Sequence, residues 1–104
     1  MTRFARLMAE ALRRHMQTRG PVRLPDAGGF YWRAFADLSA ARSYGPGGPM
    51  PISLEAIEAW VRLARVPLEL RHVAVIRAMD AAFLEEAGKP PELTATAFDA
   101  LLGA

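Results

Sequence analysis

Apolar side chains recur along this chain at the spacing of helices, with no alternation of the kind a strand requires. Phe4, Leu7, Met8, Ala11, Leu12 and Met16 form one stripe. They predict a first helix from about Thr2, a suitable N-cap, to Thr18, stopped by Gly20-Pro21. After a loop over 20–29, a second helix is expected from Phe30 to Arg42, with Trp32, Phe35, Ala36 and Ser39 on one face. Ser53 is a good N-cap for a third helix ending near Arg65, with Leu54, Ile57, Val61 and Ala64 in line and Trp60 beside them. Val66 before Pro67 is pushed out of the helical region, and Pro67 suits the first turn of a fourth helix over about 67–87. In that helix Val73, Ile76, Met79 and Phe83 share a face, and Gly88 is placed to end it. Thr94 to Leu102 predicts a short last helix.

Between helices two and three lies Ser43-Tyr44-Gly45-Pro46-Gly47-Gly48-Pro49-Met50-Pro51. Three glycines and three prolines in nine residues predict an irregular structural loop centred on Gly47, Gly48 and Pro49. The expected architecture is therefore all-α. It is a single-domain bundle of four to five helices over 1–104, with a central three-helix body at 30–87 and a short C-terminal helix at 94–102. The basic first helix, residues 1–19, either packs on the body or projects as an arm.

Composition adds limits. With 104 residues and 52% hydrophobic side chains the chain can bury one modest core, and 23% charged residues argue against global disorder. The absence of cysteine excludes disulfides, thiol catalysis and thiolate metal sites, and fits a reducing compartment. No apolar run resembles a membrane span or signal peptide, so a cytoplasmic location is expected. The net charge of +2 is unevenly spread. Residues 1–42 carry eight arginines against three acids, and residues 43–104 carry five bases against eight acids. The basic front half fits an acidic partner, a nucleic acid, or the chain's own acidic half.

Candidate chemistry is sparse. His15 and His72 are the only histidines, and neither has neighbours that complete a metal or catalytic set. The Gly45-Pro46-Gly47-Gly48 run lacks the Lys-Ser/Thr of a phosphate-binding loop. Neither a cofactor nor an enzymatic activity is expected. Asp80 stands on or beside the apolar stripe of the fourth helix, where a carboxylate needs a partner. Arg77, one turn earlier, or an arginine from the first half would supply it, in a structural ion pair or loop cap. Tyr31, Trp32, Phe35, Trp60 and Met79 are candidate partner-binding residues; for the tryptophans, core packing is the competing reading.

One stretch resembles a known family. Phe35 with Leu38-Ser39 and Arg42 is followed by Gly47-Gly48-Pro49 and Pro51-Ile52. Then come Glu55-Ala56-Ile57-Glu58-Ala59-Trp60 with Arg62-Leu63, Pro67-Leu68, and Ile76-Arg77-Ala78-Met79-Asp80-Ala81-Ala82-Phe83-Leu84. This pattern resembles small phage and prophage tail-cluster proteins, similar to tail assembly chaperones of long-tailed phages and phage-like gene transfer agents. The resemblance implies a helical protein that binds the tape-measure and tail-tube proteins during assembly in the bacterial host cell. A structural tail adaptor retained in the virion is the alternative. A small helix-turn-helix DNA-binding regulator, built on helices three and four, is another, although the second helix of the pair is not notably cationic: Arg71 and Arg77 are offset by Glu69 and Asp80, and the positive charge sits in the first helix.

Overall fold

The computed structural model describes residues 2–89. The helix expected at 94–102 lies outside them. Four helices carry the fold: α1 (Arg3–Thr18), α2 (Gly28–Ala40), α3 (Leu54–Ala64) and α4 (Leu70–Ala87), with a two-stranded ribbon between α2 and α3.

In α1, Thr2 Oγ1 accepts from Ala5 N–H at 3.1 Å, satisfying one orphan donor of the first turn. The helix ends one residue before the expected glycine. Arg19 itself takes the left-handed conformation, with φ 55°, and its N–H donates to His15 O at 2.7 Å. Ala5, Met8, Ala9 and Leu12 are buried. Their surface is α4, whose buried side presents Val75, Ile76, Ala78, Met79 and Ala82. The two helices run in the same direction. Ala5 shares a recess with Ala74 and Ala78 near their starts, while Arg13 meets Glu85 at 2.8 Å and Gln17 meets Glu86 at 3.1 Å near their ends. The first helix therefore does not project as an arm.

The same contacts explain Glu85 and Glu86, whose charge opposes the dipole at a helix C-terminus. Glu85 is paired with Arg13, and Glu86 accepts from Lys89 Nζ at 2.8 Å. The hydrogen bond from Lys89 holds the Glu86 carboxyl below the ordinary carboxylate range and raises the lysine in turn. Gly88 is in the right-handed helical region, not the left-handed one a terminal glycine often adopts. The other end of α4 also differs from expectation. The helix begins at Leu70, because Glu69 is extended and its N–H donates to His72 Nδ1 at 2.9 Å. Pro67 thus stands in the connecting strap and not in the first turn.

Helix α2 begins and ends two residues earlier than predicted. Its buried face is Ala34, Phe35 and Leu38, with Tyr31 half-buried and Ala36 exposed. Tyr31, Phe35, Leu38 and Arg42 form a longer stripe than the Trp32-to-Ser39 one, and the longer stripe faces the core. Gly28 opens the helix where it crosses α1. A Cβ there would stand 3.0 Å from Met8 Sδ and 3.2 Å from Leu24 Cβ.

The Gly/Pro segment, expected to be irregular, forms a minimal hairpin. Strand β1 (Tyr44–Gly45) pairs antiparallel with β2 (Gly48–Pro49), in the register Tyr44 to Pro49 and Gly45 to Gly48. Met50 N–H donates to Ser43 O at 2.9 Å and closes the base. The prolines are compatible because Pro46 lies in the two-residue turn and Pro49 on an edge, where no ladder donor is required. Gly48 has φ +108°, which L side chains rarely adopt.

Helix α3 starts as predicted, with Ser53 Oγ accepting from Ala56 N–H at 3.0 Å, and ends at Arg65 in the left-handed region. It buries only Ile57 fully. The core otherwise draws on α1, α2, α4 and Ile52.

The approach of α2 to α1 separates two adjacent glycines. Gly28→Ala should lower stability by about 1–2 kcal/mol, because the interior at Met8 is filled. Gly29→Ala meets no atom within 4 Å and should be neutral or stabilising by up to about 1 kcal/mol, from helix propensity. Urea unfolding midpoints of the two variants test the contrast, and equal destabilisation would contradict it.

Candidate functional site

Six residues quoted for the family resemblance converge in space. Arg42 leaves the end of α2 with its side chain wholly buried. Its Nη1 lies 2.7 Å from Asp80 Oδ1 and also donates to Met50 O at 2.9 Å. Its Nη2 donates to Ser39 Oγ at 3.2 Å. The guanidinium carbon sits 4.2 Å from the centroid of the Phe83 ring and 5.8 Å from that of Phe35; the two rings meet edge to face. Asp80 completes the node by accepting from Ile52 N–H at 2.9 Å through Oδ2. Its Oδ1 has no aligned hydrogen-bond donor and is held by the arginine's charge.

This arrangement joins the end of α2, the segment after the hairpin and α4 through Ser39, two backbone groups and the ion pair itself. The partner of Asp80 is thus an arginine from the first half, Arg42, and not Arg77, which is exposed at the rim of the α1–α4 recess. A signal for Arg42 was present. It follows Leu38 by one helical turn, so a base continues the apolar stripe of α2 just as an acid interrupts that of α4.

The candidate partner-binding residues divide. Met79 is completely buried and Phe35 is 5% exposed, so neither can meet a partner. Tyr31 and Trp32 are half-buried beneath α1: Tyr31 stacks edgewise on Phe4, and Trp32 on His15. Trp60 is half-buried on α3, where its N–H donates to Asp37 Oδ2 at 3.3 Å and its ring lies 6.2 Å from Phe30. Gly47, Gly48 and Pro49 belong to the hairpin whose base Arg42 holds through Met50.

The histidines stand at opposite ends of the parallel α1–α4 pair. His15 Nδ1 donates to Gly20 O at 2.9 Å, so its proton is on Nδ1. His72 accepts at Nδ1 from Glu69, which fixes the other tautomer. Among the described residues no group of three or more His, Cys, Asp or Glu side chains lies close enough together to hold a metal ion. No helix among them is long and apolar enough to cross a membrane.

Two surface features remain. Between α2 and α3 runs a groove of about 300 Å³ lined by Phe30, Ala34, Trp60, Ala64 and Val66, with Arg33 and Asp37 at its edges. Leu63 follows Trp60 on the same margin of α3 and is 85% exposed. Between α1 and the 20–27 loop lies a second groove, with Leu7, Ala11 and Leu24 in it.

A family model for phage tail assembly chaperones matches residues 7–85, from within α1 to the last turn of α4. The chain belongs to the phage tail assembly chaperone family. The match extends beyond the resemblance visible from Trp32 to Leu84 and takes in most of the basic first helix. No curated protein and no solved structure matches the chain. In this member of the family, the Arg42–Asp80 node and the helical framework carry the exposed surfaces.

The node has a measurable energy. Asp80→Ala should destabilise by about 3–5 kcal/mol, because it strands a buried guanidinium and the Ile52 amide together. Asp80→Asn keeps an acceptor for Ile52 and should fall between the alanine variant and the parent. A double-mutant cycle with Arg42→Met, read by denaturant unfolding, should give a combined loss well below the sum of the single losses. Strict additivity would contradict the pairing.

Proposed function

We propose that this chain binds the tape-measure and tail-tube proteins during phage tail assembly, and that the α2–α3 groove with Leu63 is one of its contact surfaces. Membership of the tail assembly chaperone family supports the role. The observation that carries the surface is the disposition of α3. Eight of its eleven residues are apolar, yet Ile57 is its only fully buried residue. Trp60, Leu63 and Ala64 stay at the open margin opposite Phe30, which is 40% exposed. A large aromatic with a satisfied N–H beside an exposed leucine is the composition of an interface anchor. A shallow groove with one base and one acid suits an amphipathic helix laid along it.

The assembly reading places the protein in the bacterial host cell and outside the finished particle. The competing structural role predicts stoichiometric copies in purified particles. A DNA-reading role is disfavoured by Leu70, which is 87% exposed at the start of α4, where base-reading side chains would stand.

Co-expression with the neighbouring tape-measure and tail-tube proteins, followed by affinity capture, tests the proposal. The parent chain should retain at least one of them, and mass spectrometry of purified particles should find none of the chain. Leu63→Glu should change stability by no more than about 0.5 kcal/mol, since the residue is solvated, and should abolish or sharply reduce capture. Undiminished capture by Leu63→Glu would remove the α3 surface. Stoichiometric copies in the particle would replace the chaperone reading with the structural one.

A further inference from the structure

The groove between α1 and the 20–27 loop lies outside the surface just assigned, and its chemistry is different. Its floor is apolar: Leu7 and Ala11 from α1, Leu24 and Pro25 from the loop, all half-buried. Arg14 and Arg23 line it from the two sides, both exposed. Among the described residues neither has a carboxylate within ion-pair distance, whereas Arg13, Arg42, Arg62 and Arg71 each have one. Along residues 2–27, which supply the groove, exposed Arg3, Arg6 and Arg19 add to Arg14 and Arg23 against Glu10 and Asp26, so this stretch of chain is basic as a whole. Every residue of the groove lies inside the span matched by the family.

We propose that this groove receives an acidic amphipathic helix of a partner protein, with apolar side chains on the floor and carboxylates reaching Arg14 and Arg23. An arginine fork pairs with a carboxylate bidentately, and two such forks across an apolar floor fix both position and orientation. Charge complementarity selects this occupant over others. A cationic helix would meet the arginine field, and a fully apolar one would leave it unused. A nucleic acid backbone would run an unbroken row of phosphates past Glu10, which lines the groove, over a floor with nothing to hydrogen-bond, whereas a helix can carry its carboxylates at the arginine positions alone. The proposal rests on the reading of the chain as a protein-binding chaperone, and it names the chemistry of a segment that such a chaperone takes.

The test uses the full chain and two synthetic peptides of roughly 18 residues, about five helical turns, with identical leucine faces. One carries glutamates along both margins and the other lysines. Binding is read by fluorescence anisotropy at low and high salt. The acidic peptide should bind about tenfold more tightly than the basic one, and the difference should shrink as salt rises. The double variant Arg14→Gln, Arg23→Gln should lose about tenfold for the acidic peptide alone. Arg62→Gln, on a distant exposed arginine, should lose nothing. Unfolding midpoints of all variants should match the parent, since the substituted side chains are solvated.

Equal binding of both peptides, or full affinity in the double variant, overturns the proposal. So does labelled duplex DNA that binds the parent more tightly than the acidic peptide and is lost in the double variant. Tighter peptide binding after Glu92→Gln with Asp99→Gln would name the chain's own C-terminal residues as the occupant and overturn it as well. Retained capture of tail proteins together with a negative peptide result removes this groove and leaves the chaperone reading intact. A selective, arginine-dependent peptide signal without capture of either tail protein leaves the groove standing and removes its assignment to those partners.

Discussion

The contact between Arg42 and Asp80 ties together three separate pieces of the chain. The arginine ends α2, and the aspartate sits in the middle of α4. Through Met50 O and the Ile52 amide the pair also grips the strap that leaves the hairpin and leads into α3. Buried ion pairs rarely add much net stability, because desolvation offsets attraction. Their effect here is one of position. Two charges in an apolar interior tolerate only the arrangement in which each satisfies the other, so the end of α2, the strap and α4 are held in one register. The flanking rings of Phe35 and Phe83 exclude water from the pair and accept the guanidinium face.

From that register the display of surface follows. With the strap fixed, α3 departs from Ser53 along the side of α2 and, among the described residues, has no layer above it. Its apolar surface is larger than the space available, and Trp60 and Leu63 remain at the margin. The connecting loop before α2 is held in a similar way. Leu24 packs on the core and Gly28 lets α2 approach Met8, which lays the loop along α1 and opens a channel beside it. A packed centre with two flanks open among the described residues suits the binding role proposed above.

Much of the fold was legible in the sequence, because helical periodicity is a local property. The caps Thr2 and Ser53 appear where the pattern places them, and the four helix cores fall within their predicted spans. The departures come from interactions between distant residues. Nothing near Arg19 or Arg65 marks it for the left-handed region, a conformation set by how the chain must turn there. The start of α4 depends on His72 reaching back to the Glu69 amide. The hairpin was hidden because composition alone condemns a segment rich in proline, while position decides whether each missing donor matters. The site was less legible still. Periodicity marks a side chain as apolar-facing without saying whether a partner layer exists. Met79 and Leu54 both lie in predicted apolar stripes, and only three dimensions distinguish the sealed one from the open one.

The parallel pairing of α1 with α4 has a consequence for how the protein comes into being on the ribosome. The first helix is synthesised early, and its oily face is covered by the last described one, some seventy positions later in the chain. Contacts so far apart in sequence close late and slow the search for the native state. Until α4 emerges from the exit tunnel, Met8 and Leu12 have no permanent cover, and the nascent protein is itself a client in need of shelter.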